Sequence, residues 1–190
     1  MSVPTQSELE AMSVDNLELF SIRCAQRAES LFRFAPTAEC DMLTKYLSML
    51  ISGSLSGTEA SSALVEITEG CLFKAGEMRE WKFAGACVSN AIYVSLLKHF
   101  PPTFVTPQGL SRSAAVAGGA HFVARNCVRA FEMAGTTQED LGTVEEHIQA
   151  DLNRIRQYTA TAVPGSLAQL GTLWIKPPPK VQDVEGNTRG

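Results

Sequence analysis

Charged residues are scarce in this sequence, at 19% of 190 residues, and only three histidines are present. The 16 basic and 20 acidic side chains give a net charge of −4, which argues against a protein whose whole surface grips nucleic acid. A narrow basic groove remains compatible with that balance, because binding follows local charge rather than the total. No apolar run approaches the roughly eighteen residues of a membrane span, so we expect no membrane partner.

Residue patterns for metal binding and catalysis are also missing. The five cysteines are odd in number and form no CxxC motif, so we expect neither a disulfide framework nor a zinc site. The histidines stand in no metal-ligand spacing, and the chain has no GxSxG motif and no glycine-rich nucleotide loop. We therefore predict core positions for most cysteines, and we expect no metal, no cofactor and no enzyme activity.

Apolar residues at helical spacing are abundant, within a hydrophobic content of 45%. The stretch from Val88 to Leu97 is almost wholly apolar, which predicts a helix at the centre of the fold. No segment alternates convincingly as a strand. These patterns predict an all-α fold: a helical bundle core over residues 14–175, an N-terminal arm over residues 1–13, and an extended or disordered C-terminal tail over residues 176–190.

The stretch from Gly109 to Arg156 predicts a helical hairpin. Its first half carries apolar residues that suit one buried helical face, namely Val116, Phe122, Val123, Val128 and Phe131. A polar break follows from Ala134 to Thr143, containing the glycines expected where one helix stops and another starts. The second half puts a further set on one side, namely Val144, Ile148, Leu152, Ile155 and Tyr158.

The order of several short motifs resembles the coat proteins of flexuous filamentous plant viruses, of the potyvirus and potexvirus type. The motifs are Gly53-Ser54, Met78-Arg79-Glu80-Trp81-Lys82, Gly109-Leu110 with Arg112, Ala124-Arg125 leading to Phe131-Glu132-Met133, and His147-Ile148-Gln149. The shared order spans roughly residues 43–157. One departure concerns Arg129, which the gapless match puts where the family has an aspartate: either the alignment slips there or the site differs.

The resemblance implies a viral coat protein that assembles helically around single-stranded genomic RNA, in virions and the host cytoplasm. Terminal arms would join neighbouring subunits. A coat that binds every sequence contacts phosphate and sugar rather than base edges, and arginine and serine suit those contacts. By motif and by charge, the candidate RNA contacts are Ser54, Arg79, Lys82, Arg112, Arg125 and Arg129.

Three alternatives stay open. A soluble all-α protein–protein interaction module without nucleic acid agrees better with the net negative charge. A rod-shaped virus coat of the tobamovirus kind is a rival within the same function. A small-molecule binder or enzyme in the bundle core would need a ligand site that the sequence does not display.

Overall fold

The computed structural model describes residues 3–72, 79–158 and 163–173. These residues are mostly helical and contain no strand beyond one isolated antiparallel bridge between Val105 and Ser111, so the predicted all-α class is confirmed. The helices are α1 (Gln6–Glu10), α2 (Val14–Ala28), α3 (Thr37–Ser52), α4 (Gly57–Ile67), α5 (Glu80–Lys98), α6 (Arg112–Met133), α7 (Gln138–Ile155) and α8 (Val163–Gln169). A 3₁₀ helix (Glu29–Phe34) follows α2, and a π-helical turn (Thr68–Leu72) follows α4.

The predicted C-terminal tail over residues 176–190 lies outside the described residues. Among the described helices, none combines the length and the apolar character that a membrane span requires.

The centre of the fold is the mutual packing of α2, α5 and α6. α5 buries residues around most of its circumference, as its apolar second half predicted. α6 meets it with small residues, including Ala117, Ala120 and Ala124, all fully buried. Small side chains on one helix let the backbone of the next approach closely, so α5 and α6 form an intimate pair.

The closest approach within this pair is at Gly119. A Cβ atom added there would lie 2.9 Å from Cγ2 of Val94 and 3.3 Å from Cδ1 of Tyr93, both on α5. A Cβ at the neighbouring Gly118 would have its nearest neighbour at 3.7 Å, the side-chain oxygen of Gln6. Of these two glycines of α6, position 119 is the one that requires the absence of a side chain for α5 and α6 to pack.

The predicted hairpin of α6 and α7 is present, with a shorter break than the sequence indicated. α6 ends at Met133, and Gly135 adopts the left-handed backbone with φ of 77°. The Thr137 hydroxyl then accepts a hydrogen bond from the Asp140 N–H at 3.3 Å and caps α7. Because this cap starts the helix early, Gly142 lies inside α7 rather than in the break.

The predicted apolar face of α6 needs one correction. Val116, Val123 and Phe131 are fully buried, but the Phe122 side chain is 51% exposed and Val128 is only half-buried. Neighbouring residues on a helix point about 100° apart, so Phe122 cannot share the buried face with Val123. On α7 the face from Val144 to Ile155 is buried as predicted, whereas Tyr158 lies past the helix end and is exposed.

Residues 3–13, which we predicted as part of an N-terminal arm, lie on the helical core instead. Leu9 is fully buried, and the Pro4 carbonyl oxygen lies 2.7 Å from Nδ1 of His121 on α6. Arg156 donates a hydrogen bond to the Glu8 carbonyl at 3.1 Å. The described part of this segment differs from an extended arm, because one buried leucine and two hydrogen bonds to distant residues hold it against the helical core.

A buried ionic cluster, which was not predicted from the sequence, joins α2 to α7. Nε of Arg23 lies 3.1 Å and a terminal nitrogen of Arg27 lies 2.5 Å from Oδ2 of Asp151. All three side chains are almost wholly buried. Burial raises the pKa of the Asp151 carboxyl, but hydrogen bonds from Arg23 and the charge of Arg27 outweigh it, so the pKa is lowered.

We predict that Gly119→Ala destabilises the fold while Gly118→Ala does not. Overpacking of a tight helix contact costs about 1–3 kcal/mol, partly offset because alanine is the better helix former. At Gly118 only the helix-propensity gain applies, up to about 1 kcal/mol. Urea unfolding of both variants would check this, and equal midpoints would contradict the close approach at position 119.

We predict that Asp151→Asn lowers the free energy of unfolding by about 3–5 kcal/mol at neutral pH, because two buried guanidinium groups lose their counter-charge. The exposed Asp41→Asn is the control and should change it by less than about 0.5 kcal/mol. Folding lowers the pKa of Asp151. The ionised carboxylate therefore stabilises the fold fully at pH values above its ordinary pKa of about 3.9, and this stabilisation is lost as the pH falls through the pKa of the folded state. Unfolding curves from neutral pH downward should therefore converge for wild type and Asp151→Asn in acid, and a constant gap would contradict this assignment.

Candidate nucleic-acid interface

A surface groove of about 580 Å³ lies where the start of α5 meets the second half of α6. α6 contributes one stripe of side chains, namely Phe122, Arg125, Asn126, Val128, Arg129 and Glu132. Phe83 of α5 and Val3 of the N-terminal segment complete the lining. The stripe arises because residues three and four apart on a helix share a face, and this face lies beside the buried one.

Arg125 and Asn126 supply unengaged hydrogen-bond donors to the groove. Arg125 is exposed, and within the described parts of the chain its guanidinium makes neither an ion pair nor a hydrogen bond. The Asn126 amide is half-buried and likewise makes no hydrogen bond to any residue that the structure describes. Guanidinium and amide N–H groups side by side are suited to an anionic oxygen, so this part of the groove can bind an anion.

Arg129 is engaged within the groove. One terminal nitrogen of its guanidinium lies 2.5 Å from Oε2 of Glu132, and its central carbon lies 5.8 Å from the centre of the Phe83 ring. Both charged side chains are about half exposed, at 50% and 49%, so the pair contributes little to stability. An anion entering the groove would compete with the Glu132 carboxylate for Arg129.

Two more of the predicted RNA contacts lie at the same end of the α5–α6 pair. Arg79 occupies the N-cap position of α5 and is exposed. Lys82 lies next to Phe83 in the first turn, with Nζ at 5.9 Å from the centre of the Trp81 ring. Both positions are within about 6 Å of Phe83 along the helix axis. The structure thus gathers Arg79, Lys82, Arg125 and Arg129 around one end of the pair.

The remaining two predicted contacts lie at the opposite end. Arg112 begins α6, and its guanidinium donates a 2.6 Å hydrogen bond to the Phe100 carbonyl, just past the end of α5. Along the α6 axis it is about 25 Å from Arg129. Ser54 follows α3 in a loop whose Gly53 lines a hollow together with Lys98 and His99. The structure therefore does not bring Ser54 or Arg112 to the groove.

The loop at Ser54 also offers fewer free donors than its sequence indicated. The Ser54 hydroxyl lies 2.8 Å from the Ser52 hydroxyl. The Ser56 N–H donates to the Glu59 carboxylate at 2.9 Å, as part of the capping box of α4. Hydrogen bonds from Ser56 lower the pKa of Glu59. An acid thus already occupies the helix start where a phosphate would bind.

The aromatic part of the groove was not predicted from the sequence. Phe122 was assigned to the core, and Phe83 and Asn126 were given no role. The sequence did contain a signal for this face of the groove. Phe122 precedes Arg125 by three residues and Asn126 by four, and this spacing puts all three on one side of a helix.

Three of the four cysteines whose side chains the structure describes lie in the core, where most cysteines were predicted. Cys24, Cys87 and Cys127 are fully buried, and burial raises the pKa of the Cys24 and Cys87 thiols well above its ordinary value. A thiol with a raised pKa is a poor nucleophile. Among the described residues, no group of histidine, cysteine and acidic side chains is arranged to hold a metal ion.

Comparison with known proteins identifies no relative of this chain. No protein-family model, curated protein or solved structure matches the chain. Function is therefore inferred from the groove and from the order of the sequence motifs.

Proposed function

We propose that this protein is a viral coat protein that binds single-stranded RNA through the α5–α6 groove and assembles helically around it. The observation that carries the proposal is the gathering of Arg125 and Arg129, with the unengaged amide of Asn126, in one open groove. Arg79 and Lys82 lie at the start of α5, at the same end of the helix pair but outside the lining of the groove. Four of the six residues selected from the motif order thus share one end of the helix pair.

The groove has the chemistry that sequence-independent binding requires. Planar guanidinium groups bind phosphate oxygens with two parallel hydrogen bonds, and phosphate is the same at every nucleotide. The net charge of −4 does not oppose this binding, because Arg125 contributes a local positive charge that no described acid neutralises.

Binding by a single subunit is expected to be weak, because each groove offers few cations and Glu132 offsets one of them. Assembly compensates for this weakness. Subunits joined to one another present a row of grooves to a single strand, and each later contact forms at high effective concentration. The proposal therefore links RNA binding to self-association.

A second candidate is a protein–protein interaction module without nucleic acid. It is favoured by the apolar share of the same groove, to which Val3, Phe83, Phe122 and Val128 contribute. Apolar grooves of this kind also accept the hydrophobic face of a partner helix.

Negative-stain electron microscopy of the purified protein, combined with its ultraviolet absorbance ratio, separates the two candidates. A coat protein gives filaments or rods whose absorbance reveals nucleic acid. Small uniform particles with a protein-only spectrum, before and after addition of single-stranded RNA, would contradict the coat proposal and favour the interaction module.

We predict that Arg125→Gln and Arg129→Gln each weaken binding to a short oligouridylate by roughly tenfold to a hundredfold, because each removes a charge-assisted hydrogen bond to phosphate. The slope of log affinity against log salt should fall in magnitude by about 0.7 for each. Arg112→Gln removes the same charge at the opposite end and should leave the slope unchanged. Fluorescence anisotropy titrations at several salt concentrations would measure both quantities.

We predict the opposite effect for Glu132→Gln. Removing the carboxylate frees Arg129 for phosphate, and the affinity for the same oligouridylate should rise by up to about fivefold, the value of an exposed ion pair. Glu146→Gln, which removes an exposed acid from α7, serves as the control for total charge. Equal gains in the two variants would show that net charge, and not Glu132, limits binding.

A further inference from the structure

We propose that the groove contains a subsite for an unpaired nucleobase, formed by the exposed ring of Phe122, while Arg125 and Arg129 hold the neighbouring phosphates. This inference rests on the RNA binding proposed above and adds a part of the ligand that the arginines do not recognise. It predicts that the groove distinguishes a nucleotide chain from a bare chain of phosphates.

The exposure of Phe122 is the first observation. Its side chain is 51% exposed although its neighbours Val123 and Ala124 are fully buried. A phenyl ring left in water gains little for folding, because burial is what makes apolar side chains stabilising. The ring is instead directed to the groove, where a ligand can cover it.

The Phe122 ring also has an aromatic neighbour. The His121 ring lies 6.0 Å from it, centre to centre, at an interplanar angle of 56°. Nδ1 of His121 is in turn 2.7 Å from the Pro4 carbonyl oxygen, which fixes the imidazole against the N-terminal segment. A neighbouring ring that is itself held in place restricts the positions open to Phe122, so the ring loses less freedom when a flat ligand binds.

The two aromatic rings of the groove differ in their partners. Phe83 has the Arg129 guanidinium 5.8 Å from its ring centre. Phe122, by contrast, has no cation over its face from any residue in the described ranges. The groove therefore offers one ring already engaged by a cation and one ring open to a flat ligand.

The combination of an open ring and an unengaged guanidinium matches an unpaired nucleotide. Arg125 follows Phe122 by three residues, so a flat base and the phosphate attached to it can contact both side chains. Every base has an aromatic face, so such stacking tolerates any sequence. A duplex hides its base faces within the stack, and an apolar peptide side chain carries no anion for Arg125.

The experiment compares two ligands of equal length, a short oligouridylate and an abasic oligonucleotide that keeps the phosphodiester chain without bases. Phe122→Leu keeps the apolar volume but removes the aromatic face, and Phe122→Tyr keeps the aromatic face as the control. Because the position is half exposed, both variants should fold, which circular dichroism and thermal melting would verify.

We expect Phe122→Leu to weaken binding of the oligouridylate by about 5- to 150-fold, the range measured for loss of one stacked base. Its affinity for the abasic chain and its salt slope should stay at the wild-type values, and Phe122→Tyr should bind both ligands as wild type does. Arg125→Gln, in contrast, should weaken both ligands and lower the salt slope.

Four results would overturn the base subsite. Equal losses for both ligands would mean that Phe122 only supports the arginines. Phe122→Leu could also bind the oligouridylate as well as wild type does. If it then sedimented more slowly than wild type in the absence of RNA, the ring would pack against another copy of the protein. If wild type bound neither ligand, the proposed RNA binding and the subsite would both fail. If wild type bound both ligands equally well, only the subsite would fail and the RNA binding would stand.

Discussion

The close packing of α5 against α6 at Gly119 is the constraint on which the groove depends. These two helices run antiparallel, so the start of α5 necessarily meets the second half of α6. That pairing brings Phe83 to Arg129, residues far apart in sequence, and sends Phe100 and Arg112 to the other end. A side chain at position 119 would push α5 away near Val94 and would shift the wall of the groove that α5 provides.

Several cations of this chain are engaged in ion pairs between helices, away from the groove. Arg23 and Arg27 are buried with Asp151, and Lys98 pairs with Asp15 and Glu18, each at 2.8 Å. These cations hold helices together and are not available to a ligand. The net charge of the chain consequently says little about the potential at any one surface, because buried and exposed groups enter the sum alike.

The sequence predicted the local features well and the tertiary ones poorly. Helical periodicity identified the main helices, and the structure shows that Arg125 and Arg129, four residues apart, share one face of α6. Whether Phe122 or Val123 faces inward depends on how α6 is rotated against α5, which periodicity leaves ambiguous when both residues are apolar. Asp151 did carry a signal, since it follows Ile148 by three residues on an apolar face, and a charge at such a position predicts a buried partner.

The separation of Ser54 and Arg112 from the other candidates has the same origin. Motif order along a chain does not report distance in space, and an antiparallel helix pair puts neighbouring motifs at opposite ends.

Under the proposed function, the groove of each subunit binds a polymer better than a free nucleotide. Each groove has two arginines, and one of them is paired to Glu132. A monomeric ligand would gain only one weak contact, whereas a strand that passes through many subunits gains the same contact repeatedly. A weak, repeated site also permits a strand to shift and realign during assembly, which a single tight site would prevent.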